Sequence, residues 1–88
     1  MNNTTWRKEL SAAFAEFGDD WENIESNTMT DEEMDQLLYY GYGGVEGVSF
    51  TVWTKMRVYF PICYDGAELV GSVSRNPDGK ATEQQGGG

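Results

Sequence analysis

The chain has 88 residues, with 15 Asp and Glu, 6 Lys and Arg and no His, which gives a formal net charge of −9. So short a chain has room for one domain around one core, not two lobes around a cleft, and 39% hydrophobic residues are too many for intrinsic disorder. It has no apolar run near the roughly 20 residues of a membrane span, and no apolar signal-peptide core, so we expect no membrane association.

The first predicted element is an amphipathic helix. Apolar side chains recur at helical spacing: Trp6, Leu10, Ala13, Phe14 and Phe17. This spacing predicts a helix over residues 5–17, which Gly18 ends. Residues 19–25 predict a turn or a single helical turn, which Trp21 and Ile24 attach to the core.

A second helix is indicated by its N-terminal signals. Thr30 as N-cap and Glu33 three residues later form a capping box, and Met29 and Met34 flank it as a hydrophobic staple. We expect this helix to run as far as Gly41. Its apolar face is expected to contain Met34, Leu37 and Leu38.

After the glycine-rich residues 41–47 the apolar period changes from 3.6 to 2, which predicts strands. Asp65 and Gly66 form a two-residue hairpin signal. Closing this turn pairs Ile62 with Leu69, Phe60 with Gly71 and Val58 with Val73. In the preceding hairpin, a three-residue loop over 54–56 pairs Val52 with Val58 and Phe50 with Phe60, and it is favoured over a two-residue loop because it places apolar residues on one face.

These elements predict an α+β fold, in which two N-terminal helices pack on one face of a three-stranded antiparallel meander. Residues 1–80 are expected to form a single compact domain, and residues 81–88 a flexible tail. One core is expected to include Leu10, Phe14, Leu37, Phe50, Phe60, Ile62 and Leu69.

Residues that could carry catalysis are scarce. Without histidine, neither a Ser–His nor a Cys–His pair can form, and we expect Cys63 to be a buried structural thiol in a reducing cytosol. The acidic residues 31–35 lack the spacing of a calcium loop. Residues 41–47 follow a helix and precede a strand, the reverse of a nucleotide-binding loop. The sequence therefore predicts no enzyme, no catalytic residue, no cofactor and no metal site.

The acids are concentrated in one half of the chain. Residues 1–46 contain eleven acids and two bases, whereas residues 47–88 contain four of each. A solvated helical surface explains this distribution, and so does a surface that presents carboxylates where nucleic acid presents phosphates, to a partner with a basic groove. The candidate partner-binding residues are Glu16, Asp19, Asp20, Glu22, Glu25, Asp31, Glu32 and Asp35.

An alternative partner-binding surface is the outer face of the sheet, where we expect Trp53, Arg57 and Tyr59. Aromatic and basic residues on a sheet can stack single-stranded bases, but a net charge of −9 argues against direct nucleic-acid binding. A protein–protein contact suits these residues better, and ordinary cross-strand packing also explains them.

Five segments in the second half carry a resemblance: residues 41–47 (GYGGVEG), 50–54 (FTVWT), 57–61 (RVYFP), 64–66 (YDG) and 70–77 (VGSVSRNP). They resemble a group of small accessory proteins of tailed bacteriophages and prophages, although Ser74 stands where a proline is expected before Arg75. The resemblance implies a phage protein in the host bacterial cytoplasm, and it transfers no catalytic or binding residue.

Together these observations lead us to expect a non-enzymatic phage protein that binds and modulates a host nucleic-acid-handling or defence protein through its acidic half, with inhibition as the favoured effect. The alternative is a small structural or regulatory interaction module that uses the outer sheet face, with the acids serving only solubility. In both cases the expected partner is a protein, and the oligomeric state is left open.

Overall fold

The structure is a computed structural model and describes residues 3–39, 47–64 and 67–85. Its elements, in chain order, are β1 (Asn3–Thr4), α1 (Trp6–Phe17), a 3₁₀ turn (Trp21–Asn23), β2 (Ile24–Asn27), α2 (Asp31–Asp35), β3 (Leu38–Tyr39), β4 (Val52–Thr54), β5 (Arg57–Tyr64) and β6 (Ala67–Ser74). The antiparallel strands β2, β4, β5 and β6 form one sheet in that order, and β1 pairs with β3. The predicted α+β class with an antiparallel sheet is confirmed.

Helix α1 matches its prediction closely. The Thr5 hydroxyl caps its N-terminus by accepting a hydrogen bond from the Lys8 N–H at 3.1 Å. Gly18 ends the helix in the left-handed region at φ 69°, where glycine has no Cβ to clash. The buried face of α1 packs toward β6 and α2 and consists of Trp6, Leu10, Ala13 and Phe14.

Helix α2 is shorter than predicted. The capping box of Thr30 and Glu33 is confirmed, with reciprocal hydrogen bonds of 3.1 and 2.9 Å. However, the helix ends at Asp35, so the predicted end at Gly41 is wrong. Leu38 instead pairs with Thr4 in the β1–β3 ladder and becomes fully buried, whereas Leu37 is 51% exposed and is not a core residue.

The large sheet has four strands rather than three. The additional strand, β2, is an edge strand of this sheet. It pairs with β4, with a bulge between Ile24 and Ser26. The polar sequence of β2, IESN, gives no alternating signal. The 3₁₀ turn lies within residues 19–25, for which a turn or a single helical turn was expected, but Ile24 and Glu25 belong to β2 instead.

The two hairpins differ in how well their registers were predicted. In β5–β6 all three predicted pairs are confirmed, including Phe60 with Gly71. In β4–β5, Val52 lies opposite Tyr59 rather than Val58, so the predicted three-residue loop is wrong. The Thr54 hydroxyl holds the tighter turn by accepting hydrogen bonds from the N–H groups of Met56 and Arg57, at 3.2 and 3.0 Å.

The change of register moves the other face of β5 into the core. Tyr59 is fully buried, while Phe60 and Ile62 are half-buried on the opposite face, so the prediction that they share the main core is wrong. Leu69 lies opposite Ile62 on that same outer face. The observed core contains Trp6, Leu10, Ala13, Phe14, Met29, Met34, Leu38, Phe50, Val52 and Tyr59.

The segment that follows β6 returns to the sheet. The Gln85 side chain accepts a hydrogen bond from the Ser72 N–H at 2.7 Å and donates one to the Ser72 carbonyl at 2.6 Å. Residues 81–85, predicted as part of a loose tail, are therefore attached to β6 at their end, whereas residues 86–88 lie outside the described chain.

Candidate functional site

Asp19, a predicted partner-binding residue, binds other parts of its own chain. One carboxylate oxygen accepts hydrogen bonds from the hydroxyls of Thr54 at 2.6 Å and Tyr59 at 2.8 Å. The other accepts from the Asn23 side chain at 3.0 Å and from the Asp20 N–H at 2.9 Å. The Thr54 and Tyr59 hydroxyls join the end of α1 to β4 and β5, so Asp19 has a structural role.

The surroundings of Asp19 also determine its charge. Partial burial by itself would raise the pKa of Asp19, but the hydrogen bonds from Thr54, Asn23, Tyr59 and Asp20 together outweigh burial and lower it. Burial, followed by the hydrogen bond to Asp19, raises the pKa of Tyr59. At neutral pH the pair is therefore a carboxylate and a neutral phenol, and the phenol keeps its proton while donating a hydrogen bond to the carboxylate.

Three further candidate acids are paired with arginines. The Arg7 guanidinium contacts Asp35 at 2.6 Å and Asp31 at 3.3 Å, which ties α2 to α1, and this contact lowers the pKa of Asp35. Glu25 forms an ion pair with Arg75, which also donates to the Thr54 carbonyl at 2.9 Å. These pairs reduce the local negative charge, although all their side chains keep contact with solvent.

The other four candidate acids are exposed: Glu16, Asp20, Glu22 and Glu32. We call them the open acids, because none forms an ion pair with a described residue. They lie at the end of α1, in the 3₁₀ turn and in the first turn of α2. Asp20 also caps its turn, since its carboxylate accepts a hydrogen bond from the Glu22 N–H at 3.2 Å.

The alternative surface is not assembled as predicted. Tyr59 is fully buried, and the Arg57 guanidinium donates to the Ser72 hydroxyl at 3.0 Å and lies 4.0 Å from the centre of the Phe17 ring, on the side of α1. Only Trp53 lies on the outer face, opposite Val58. The placement of Arg57 and Tyr59 on the outer face is wrong because the register of β4–β5 differs by one residue.

The outer face of the large sheet instead consists of uncharged residues, and we call it the neutral face. By register and alternation it contains Ser26, Trp53, Val58, Phe60, Ile62, Leu69, Gly71 and Val73. A Cβ on Gly71 would lie 2.6 Å from the Gln85 Oε1 and 2.9 Å from both the Phe60 ring and an Ile62 methyl group, so these three side chains crowd around the glycine. None of the eight residues is charged.

Two titratable residues were misjudged or missed by the sequence analysis. Cys63 is exposed near the end of β5, so the expectation of a buried thiol is wrong. Glu68 is only 3% exposed, and its carboxylate accepts a hydrogen bond from the Gly47 N–H at 2.8 Å. A glutamate within a strand gives no sequence signal for such a contact, because its acceptor role depends on a residue 21 positions away.

An open groove of about 820 Å³ lies between the end of α1 and the segment after β6. Phe17, Arg57, Ser72 and Gln85 contribute to its walls. Within this groove, the Arg57 guanidinium donates to the Ser72 hydroxyl, and the Gln85 amide is bonded to the Ser72 backbone.

Within residues 3–39, 47–64 and 67–85, no three Cys, Asp or Glu side chains converge in a way that could hold a metal ion. The helices of this described part are too short and polar to cross a membrane. No family model, curated protein or solved structure matches the chain. The interpretation of its surfaces therefore depends on their own chemistry.

Proposed function

We propose that this chain is a non-enzymatic binding protein whose open acids contact a basic groove on a nucleic-acid-handling protein. The observation that supports the proposal is that Glu16, Asp20, Glu22 and Glu32 are exposed and lack ion-pair partners among the described residues. The resemblance to phage accessory proteins supplies the setting, the cytoplasm of a bacterial host, and the expectation that binding inhibits the partner.

The distribution of the bases strengthens this proposal. Arg7 and Arg75 are engaged with Asp31, Asp35 and Glu25, so their positive charges are not available to neutralise the open acids. A surface with excess charge of one sign attracts a surface of the opposite sign over about a Debye length and increases the rate of encounter.

The test is capture of partners from a bacterial lysate on the immobilised protein, followed by mass spectrometry. If the open acids bind a basic groove, captured proteins are released by moderate salt and by duplex DNA, which competes for the same groove. The isolated protein itself should give no shift of duplex DNA in a gel, because both are strongly negative.

A pair of matched variants assigns the capture to the open acids. Glu22→Gln with Glu32→Gln removes two negative charges from the acidic side, and Asp78→Asn with Glu83→Gln removes two from the second half of the chain. Binding should be lost in the first variant and kept in the second. Capture that persists in the first variant, or that resists both salt and DNA, contradicts the proposed function.

A further inference from the structure

The neutral face is an apolar surface of the sheet that the proposed function does not use. Its apolar side chains lie on three adjacent strands: Trp53 on β4, Val58, Phe60 and Ile62 on β5, and Leu69 and Val73 on β6. All six are half-buried, covered laterally by one another. An uncharged sheet face of this kind is normally packed against another layer.

This face is separate from the main core. The half-buried apolar residues that pack against the core are Trp21, Ile24, Val48 and Val70, and the six residues of the neutral face are not among them. Helix α1 packs on the opposite side of the sheet, where Val52 and Tyr59 are fully buried. The Gln85 side chain reaches the β6 edge of the neutral face, where its Oε1 would lie 2.6 Å from a Cβ on Gly71.

The distribution of charge favours a second copy of this chain as the occupant of the neutral face. The chain has a net charge of −9, but the neutral face has no charged residue at its eight register positions. At a two-fold axis a surface meets its own copy, so a surface with a net charge repels itself. The neutral face can meet its own copy without bringing like charges together, whereas the side with the open acids cannot.

The size of the face limits the strength of such a contact. Strands β5 and β6 have eight residues each and β4 has three. At about 3.3 Å per residue, with neighbouring strands about 4.8 Å apart, they give a face of roughly 300 Å². A standard interface uses about 800 Å² on each partner. The area is therefore suited to a weak and reversible contact.

We propose that two copies of this chain pack their neutral faces together as a reversible two-fold dimer. The two sheets then stack about 10 Å apart with aligned strands, and Trp53, Phe60 and Ile62 lie at the centre. Both α1 helices, with the open acids, face away from the interface. The dimer goes beyond the proposed function and does not depend on it.

The first test is sedimentation equilibrium of the full chain, at concentrations from about 5 to about 500 µM in physiological salt. The average mass should rise from that of one chain toward that of two. Val58→Lys places a charge opposite its own copy and should weaken association by at least about tenfold. Ala12→Lys adds the same charge on the exposed side of α1 and should associate like the unmodified chain.

A milder variant covers the case in which a lysine in β5 prevents folding. Val73→Thr keeps a β-branched side chain of similar shape but adds a hydroxyl to the interface, and it should weaken association while leaving the circular dichroism spectrum unchanged. A chain that stays monomeric to about 500 µM overturns the proposal. So does a dimer that forms equally well in folded Val58→Lys and Val73→Thr.

A spin label on the exposed Cys63 provides an independent readout. Because the sequence contains a single cysteine, each copy carries one label, and dipolar coupling arises only between copies. The coupling should be present at high concentration, disappear on dilution and be lost in Val73→Thr. Absence of coupling in a sample whose mass shows a dimer would exclude a stacked arrangement and overturn the proposal.

Discussion

Asp19 illustrates how a residue can be identified as acidic from sequence while the hydrogen bonds that it accepts within the fold are missed. It lies directly after the Gly18 cap, among other acids, and nothing in its neighbourhood distinguishes it from Asp20. Its four hydrogen bonds come from residues up to 40 positions away. A contact of that range depends on strand register, which local patterns determine poorly.

The first prediction concerns the Asp19 carboxylate. Asp19→Asn replaces a charged acceptor of two hydroxyls by an amide, and hydrogen bonds to charged groups contribute about 1.5–3 kcal/mol, so we expect a loss of about 2 kcal/mol in unfolding free energy. Urea denaturation measures it. Asp20→Asn is the matched control, because asparagine caps a helical turn as well as aspartate does. Equal stability of both variants would show that the Asp19 network is unimportant.

The second prediction is a pH dependence from the same residue. The pKa of Asp19 is lowered in the folded chain, so its carboxylate contributes stability above the unfolded value of about 3.9, and this contribution is lost as the pH falls through the folded pKa. The difference in unfolding free energy between the unmodified chain and Asp19→Asn should therefore be largest near neutral pH and shrink below about pH 4.

The quantity to compare is the difference in unfolding free energy between the unmodified chain and Asp19→Asn at each pH, rather than the pH dependence of either protein alone. Protonating the other acids reduces the overall repulsion in both, and the pKa of Asp35 is also lowered, by Arg7. These effects cancel in the comparison. A difference that stays constant from neutral pH to about pH 2 would contradict the prediction.

At the scale of elements, the sequence predicts the features that depend on nearby residues and does not predict a strand that depends on distant contacts. The sequence predicts α1, its Gly18 cap and the capping box of Thr30 and Glu33, because each depends on residues within four positions. It also predicts the β5–β6 register from a two-residue turn. It does not predict β2, whose residues acquire strand geometry only by pairing with β4.

The β4–β5 hairpin shows why its register was missed. Apolar residues occur at both parities of β5, so burial alone favours Val58 and Phe60 as much as Tyr59. The Thr54 hydroxyl and the Asp19 carboxylate decide between them, since the first tightens the turn and the second satisfies the buried phenol. The candidate surface was lost with the register, because Arg57 and Tyr59 moved to the side of α1.

The third prediction tests this register with one chemical change at two positions. Val52→Ala removes two buried methyl groups and should cost about 2 kcal/mol, whereas Val58→Ala on the neutral face should cost less than about 1 kcal/mol. Thermal or urea unfolding at low protein concentration, where the chain is monomeric, measures both. If Val58 rather than Tyr59 faced α1, opposite Val52, both valines would be buried and the two variants would lose about the same stability.

At the scale of the whole molecule, charge and apolar surface lie on different sides. The open acids belong to the helices and turns of the first half, while the neutral face belongs to the sheet. Composition shows the excess charge immediately, but only the folded chain shows that three ion pairs take up part of it. The two proposals therefore concern surfaces that can act independently.

The fourth prediction follows from the uncompensated charge. Raising NaCl from about 0.01 to about 1 M shortens the Debye length from about 30 to about 3 Å, which screens repulsion among the acids. The exposed ion pairs also weaken, but each contributes only about 0–1 kcal/mol. We expect the Tm to rise by a few degrees, as measured by circular dichroism.

The double variants described above serve as the control for this effect. Glu22→Gln with Glu32→Gln should show a smaller rise in Tm with salt than Asp78→Asn with Glu83→Gln. Only the first double variant reduces the repulsion among the acids of residues 1–46. A Tm that falls with added salt would show instead that the arginine pairs dominate the electrostatic free energy.

The attachment of Gln85 to β6 has a consequence for the solubility of the protein. Strand β6 is an edge of the sheet, and an open edge invites a strand of another molecule to add and to begin a fibril. The Gln85 amide occupies the N–H and the carbonyl of Ser72 together, which is what an incoming strand would have to bind. A glutamate could satisfy the N–H alone, so only a carboxamide closes this part of the edge against aggregation.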